Sequence, residues 1–193
     1  MISEKELKGI NSPLRNFSLK MKINSYIKQL KKLHINLEHL TILDAGCGRG
    51  FSTKILFDKL SPKKTFAFNF LEERVNLAKK LNLDTEFFQG SNTDIQLPAG
   101  SSDFVFVFNV LHHVSEWKNG IKDVSRVLKD NGYDIFEEPT GSYTTFTDHL
   151  ARNKHPEKGK FTKQEFEAEL YKNTFVILKD SSAFFGKYIA LIC

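Results

Sequence analysis

From residue 40 onward the chain alternates short apolar runs with helical segments, and that rhythm dictates the fold. Residues 40–44, 65–70, 85–89, 103–108 and 133–137 read as strands. Between them, residues 51–60, 71–81 and 116–129 space their apolar side chains as one face of a helix. Ser61-Pro62 ends the first of these helices and Asn131-Gly132 the last. This order demands crossover connections, so the strands lie parallel and helices cover both faces of the sheet. The ending differs. Thr162 and Glu165 form a capping box that opens a helix to about Tyr171. Residues 175–179 and 184–192 then read as strands separated only by Asp180-Ser181-Ser182, a gap that permits nothing but an antiparallel hairpin.

The expected architecture is therefore α/β: a doubly wound, Rossmann-like, mostly parallel seven-stranded sheet with a C-terminal antiparallel hairpin and helices on both faces. Its 193 residues suffice for one core. Ser12-Pro13 caps an N-terminal helix over residues 14–33, with Leu19, Ile23, Tyr26, Ile27 and Leu30 on one face. The single domain divides into that helical segment (1–38), a binding core (39–139), an insertion (140–161) and a closing helix with hairpin (162–193). The insertion is polar and lies beyond a strand's carboxyl end, where open α/β sheets bind ligands.

Residues 44–50, Asp-Ala-Gly-Cys-Gly-Arg-Gly, close the first strand and open the first helix. Alternate glycines let the backbone turn sharply and approach a ligand without Cβ collisions. The position that would complete Gly-x-Gly-x-x-Gly is Phe51, which argues against a dinucleotide pyrophosphate on the helix terminus. No Gly-Lys-Ser/Thr follows, so a phosphate P-loop is excluded.

Residues 42–50, Ile-Leu-Asp-Ala-Gly-Cys-Gly-Arg-Gly, resemble the first motif of class I S-adenosylmethionine-dependent methyltransferases. The likeness continues in register and is similar to the type 11 small-molecule branch. Residues 88–92 with Leu97-Pro98 and Ser101-Ser102-Asp103 resemble its third-strand loop and fourth strand. Residues 109–114, Asn-Val-Leu-His-His-Val, resemble its post-strand segment, and residues 126–129 with Gly132 and residues 137–139 its fifth-strand motif. The resemblance implies S-adenosylmethionine as cofactor and S-adenosylhomocysteine as product. Gly46, Gly48 and Gly50 would line the methionine and ribose portion, with Asp44 near the ammonium group. Asn69 stands where the family usually has an acid gripping the ribose diol, and Ser91 where an Asp often meets the adenine amino group. Phe70, Asn92 and Asn109 complete the expected cofactor set.

Methyl transfer is an in-line displacement, so a base is needed only for an acceptor with a proton of high pKa. His112 and His113, after the fourth strand, and Glu138, ending the fifth, are the catalytic candidates. Alternation puts Glu137 and Glu138 on opposite faces. The fourth strand lacks the Asn/Asp-Pro-Pro-Tyr/Phe of amino methyltransferases, and no Pro-Cys nucleophile appears. The expectation is methylation of a small molecule. Two alternatives compete with it: a binding or partner subunit that has lost turnover, because Asn69 and Ser91 weaken two anchors, and an RNA methyltransferase.

Charge bears on the last of these. Residues 1–40 hold eight Lys or Arg against three Glu, which places the whole net charge of +5 there. That is read first as a solvated lysine face; a steering surface for RNA is the other reading. The 18 phenylalanines imply an aromatic core. Cys47 and Cys193 have no metal-ligand or disulfide spacing, so no metal is expected and a reducing cytoplasm is the default. The N-terminus lacks a signal peptide's apolar stretch, and the longest apolar runs, 104–108 and 188–193, are far too short to span a bilayer.

Overall fold

The computed structural model describes residues 13–139, 141–142, 144–145, 149, 159–180 and 185–193. Helix α1 (Pro13–Lys32) precedes β1 (Thr41–Ala45), α2 (Phe51–Leu60), β2 (Lys64–Asn69) and α3 (Glu72–Lys79). Then come β3 (Glu86–Gln89), β4 (Ser102–Phe108), a 3-10 turn at Leu111–His113, α4 (Trp117–Val127) and β5 (Leu128–Pro139). Helix α5 (Lys163–Lys172) and strands β6 (Phe175–Asp180) and β7 (Phe185–Ile192) end the chain. Ser12, the expected cap of α1, and most of the 140–161 insertion lie outside the described residues.

The seven strands form one sheet in the order β3-β2-β1-β4-β5-β7-β6. The pairs among β1 to β5 are parallel, and β7 runs antiparallel to both β5 and β6. That is the doubly wound sheet with a closing hairpin expected from the sequence. β4 is buried on both faces along Phe104–Val107, which is why its sequence is a continuous apolar run rather than an alternation.

Side-chain alternation divides the core. Ile42, Phe104, Phe106, Ile135 and Ile189 face α1 and α2, where Ile23, Tyr26, Ile27, Leu30, Ile55 and Leu56 meet them. Leu43, Val105, Val107, Phe136 and Tyr188 face α4 and α5 on the other side. There the phenylalanines collect: Phe166 lies 5.0 Å from Phe161, 5.4 Å from Phe136 and 5.3 Å from Tyr188 between ring centroids, and Trp117 lies 4.7 Å from Phe161. The capping box forms, with Thr162 accepting from the Glu165 N–H and Glu165 accepting from the Thr162 N–H.

The expected helix over 116–129 is corrected. It stops at Val127, and Leu128 is already extended (φ −70°, ψ 143°) and paired with Ser102. Leu128 is buried in the core, and Lys129 reaches Asp103 at 2.9 Å, so strand pairing outweighs the helical propensity of these two residues. Asn131 and Gly132 are not a helix stop. They sit in a bulge where the pairs Ser102↔Leu128 and Phe104↔Tyr133 span two residues of β4 but five of β5, with Asn131 at φ 62°.

Candidate active site at the carboxyl edge of the sheet

A cleft of about 1070 Å³ opens where β1, β2 and β4 end. Its floor is Gly46, Cys47, Gly48 and Arg49; Asn69, Phe70 and Leu71 form one wall, and Ser91 and Asn92 another. Asn109, Val110, His113 and Val114 supply a third, and Asn16, Ser18, Leu19 and Lys22 of α1 close the far end.

The glycines divide their labour. Gly46 (φ 93°) packs so closely under Val110 that a β-carbon would lie 2.4 Å from Cγ2. At Gly48 (φ 57°) the β-carbon position has nothing within 4 Å, so the loop's open face is there. Gly50 does not line the cleft; it is the left-handed N-cap of α2, pressed against Leu81 and Ala78 of the α3 end. Asp44 also departs from its expected place. Its carboxylate turns beneath the loop and accepts from Ser52 Oγ and Thr53 Oγ1, both at 2.6 Å, tying β1 to the first turn of α2. Burial pushes its pKa up to about 6 despite those bonds.

Asn69 Oδ1 accepts the Leu71 N–H at 3.1 Å, so its oxygen is committed to the turn and its amide group is what remains for the cleft. Ser91 shares a hydroxyl hydrogen bond with Thr93 at 2.9 Å. Glu72 and Glu73, at the start of α3, do not line the cleft. These side chains fit an adenosyl group through amides, hydroxyls and an open glycine face, and the exposed Phe70 suits a flat ring.

The three catalytic candidates separate. His113 lines the cleft, whereas His112 and Glu138 are buried behind it. Glu138 Oε1 accepts the N–H groups of Val110 (2.7 Å) and Leu111 (2.8 Å), and Oε2 meets His112 Nδ1 at 2.7 Å. Glu138 thus moulds the turn that carries Val110 and His113. The His112 and His113 rings lie 4.0 Å apart, so the buried pair holds the half-buried ring in place. Burial raises the Glu138 pKa to about 7, opposed by the three turn N–H groups and His113. Glu137 points to the opposite face, as alternation requires. It is bonded to Lys22 Nζ, to Tyr26 Oη at 2.9 Å and to Asn109 Nδ2 at 3.4 Å. Those two partners on α1 are 115 and 111 residues away in sequence, with no motif to announce them.

The methyltransferase domain family model matches residues 43–136. A probable S-adenosylmethionine-dependent methyltransferase of Mycobacterium tuberculosis is 24% identical over 98 residues, covering 51% of this chain and 35% of that protein. A probable polyketide synthase of Dictyostelium discoideum is 26% identical over 119 residues, 61% of this chain and 4% of that one. The chain therefore spans about a third or less of the curated relatives it matches. Among solved structures, an S-adenosylmethionine-dependent methyltransferase from Aquifex aeolicus superposes with a TM-score of 0.76 over 100% of both chains at 23% identity. The sheet order, the glycine loop and the 43–136 match thus agree on a methyltransferase domain over that segment, in the α/β fold that the chain shares with the Aquifex aeolicus structure.

Proposed function

We propose that this chain transfers a methyl group from S-adenosylmethionine to a small-molecule acceptor inside the cleft. The carrying observation is the cleft itself. Its volume of about 1070 Å³ stands at the upper end of small-molecule sites, roughly 300–1,000 Å³, and α1 walls its far end. That is room for a cofactor and a small acceptor side by side.

The bound cofactor supplies an electrophilic methyl on a sulfonium. The chain's own work is to align and to dry the site. Gly48 admits a ligand close to the backbone, and Asn69, Ser91, Asn92 and Asn109 offer amide and hydroxyl groups for orientation. Leu19, Phe108, Val110 and Val114 give the acceptor end apolar surface that excludes water. His113, set by the His112–Glu138 pair, is the side chain at that end suited to take a proton from an acceptor that carries one.

The test is where label goes. Purified protein incubated with methyl-labelled S-adenosylmethionine and a cell extract should label the low-mass fraction. Label confined to the RNA or protein fraction would overturn the small-molecule reading.

A further inference from the structure

The cleft's charge is one-sided. Lys22, Arg49, Lys54, Arg74 and Lys80 all line it, and among the described residues no Asp or Glu does. Carboxylates are not scarce at this edge of the sheet, since Asp44, Glu137 and Glu138 all lie there. Each is buried and turned onto protein donors: Asp44 onto Ser52 and Thr53, Glu137 onto Lys22 and Tyr26, Glu138 onto residues 110–112. The ribose position holds an amide, and the neighbouring Glu72 and Glu73 stay outside. Lys22 is set against Glu137, and Lys54 against Asp58 at 3.0 Å. Arg49 and Lys80 have no ion-pair partner among the described residues.

S-adenosylmethionine is itself a net cation, with a sulfonium and an ammonium against one carboxylate. Lys22 and Lys54 already face Glu137 and Asp58, so the sulfonium and ammonium share the cleft chiefly with the cations of Arg49 and Lys80. Like charges in a partly desolvated cleft repel more strongly than in bulk water. Among the described residues no acid of the wall balances Arg49 and Lys80, which leaves them open to an anionic second ligand.

We propose that the acceptor carries an oxyanion, a carboxylate or a phosphate, that binds between the glycine loop at Arg49 and the Asn16–Ser18–Lys22 side of α1. The inference rests on the methyl-transfer reading and names its substrate class. α1 and the loop meet at this arm: Leu19 and Phe51, the residue after the last loop glycine, pack against the same core cluster and both line the cleft. Acceptor and cofactor enter as a charge-balanced pair, each favouring the other's binding.

The test is coupling in binding, read without turnover. The full chain is titrated calorimetrically with S-adenosylmethionine and with the net-neutral S-adenosylhomocysteine. Chloride, inorganic phosphate and acetate buffers are compared at constant ionic strength. The expected result is that phosphate or acetate tightens S-adenosylmethionine by roughly fivefold or more, with a smaller effect on S-adenosylhomocysteine. The more effective anion identifies the oxyanion. The gain should vanish in R49M/K80M, whose two positions are exposed, and persist in K59M, an exposed lysine of α2 outside the cleft. Equal S-adenosylmethionine affinity in all three buffers would overturn the proposal. So would competition of the oxyanion with both cofactor forms, or a gain produced only by a single-stranded RNA oligonucleotide. An S-adenosylhomocysteine-binding protein indifferent to oxyanions sinks this proposal alone; no binding of either cofactor form in any buffer sinks the methyl-transfer reading beneath it.

Discussion

A β-carbon added at Gly46 would lie 2.4 Å from Val110 Cγ2, whereas one added at Gly48 would meet nothing within 4 Å. Both positions have positive φ, so any side chain costs about 1–2 kcal/mol at either. Gly46→Ala should add an overpacking cost of about 1–3 kcal/mol and lower the thermal midpoint. Gly48→Val should leave the fold largely intact but place its side chain in the cleft, weakening S-adenosylhomocysteine tenfold or more by calorimetry. Similar binding by Gly48→Val and parent would move the cofactor elsewhere. At Asn69, an Asp keeps one oxygen for the Leu71 N–H and turns the other to the cleft. Asn69→Asp should therefore tighten S-adenosylhomocysteine by about 1–2 kcal/mol, the scale of a charge-assisted bond. Unchanged affinity would mean a pocket rebuilt around the amide, and would favour the binding-subunit alternative. The glycine spacing and Asn69 were readable from the chain because local backbone needs leave local marks. The inward turn of Asp44 was not, since it depends on Ser52 and Thr53 presenting hydroxyls on the buried side of α2.

Strand β5 carries more buried charge than any neighbouring element, with Asp134, Glu137 and Glu138 all inaccessible to solvent. Asp134 and Glu138 share a face, and burial together with Glu138 raises the Asp134 pKa well above the carboxylate range. Neither Asp134 oxygen has a hydrogen-bond partner among the described residues, which fits a carboxyl that stays protonated. The folded Glu138 pKa, about 7, lies above the ordinary value of 4.5, so the folded state holds this proton more tightly than the unfolded chain. Its contribution is therefore fully present below about pH 4.5 and is lost as pH rises through 7. Glu138→Gln should flatten that fall: denaturant midpoints taken from pH 4.5 to 8 should decline less steeply than in the parent. An equally steep decline would assign the slope to Asp44 and Asp134. At this scale the sequence located the strands well and the α4–β5 junction poorly. Asn131-Gly132 marks a real irregularity, but a bulge and a helix stop use the same two residues, and only pairing with Ser102 distinguishes them.

The molecule as a whole is a sheet whose active edge is finished by an element from the far end of the chain. Strand order and the hairpin follow from connection lengths, so the architecture was legible; the docking of α1 was legible only as an apolar stripe. What completes it is the buried carboxylate of Glu137, which receives Lys22 and Tyr26 from α1 and Asn109 from the end of β4. One acid thereby links α1, β5 and the cleft turn. Tyr26 is itself buried, stacks 6.0 Å from Phe108, and has its hydroxyl pKa raised by burial and by Glu137. Tyr26→Phe keeps that packing and removes one donor from an inaccessible carboxylate, a loss of about 1.5–3 kcal/mol for a bond to a charged group. The thermal midpoint should fall by several degrees, at roughly 2–4 °C per kcal/mol for a domain of this size. Because Tyr26 does not line the main cleft, S-adenosylhomocysteine affinity should stay within about twofold of the parent. Scanning calorimetry and binding calorimetry on the same variant separate the two effects. An unchanged midpoint would mean that Lys22 and Asn109 alone satisfy Glu137, leaving α1 held to the sheet by Ile23, Ile27 and Leu30 rather than by the acid beneath them.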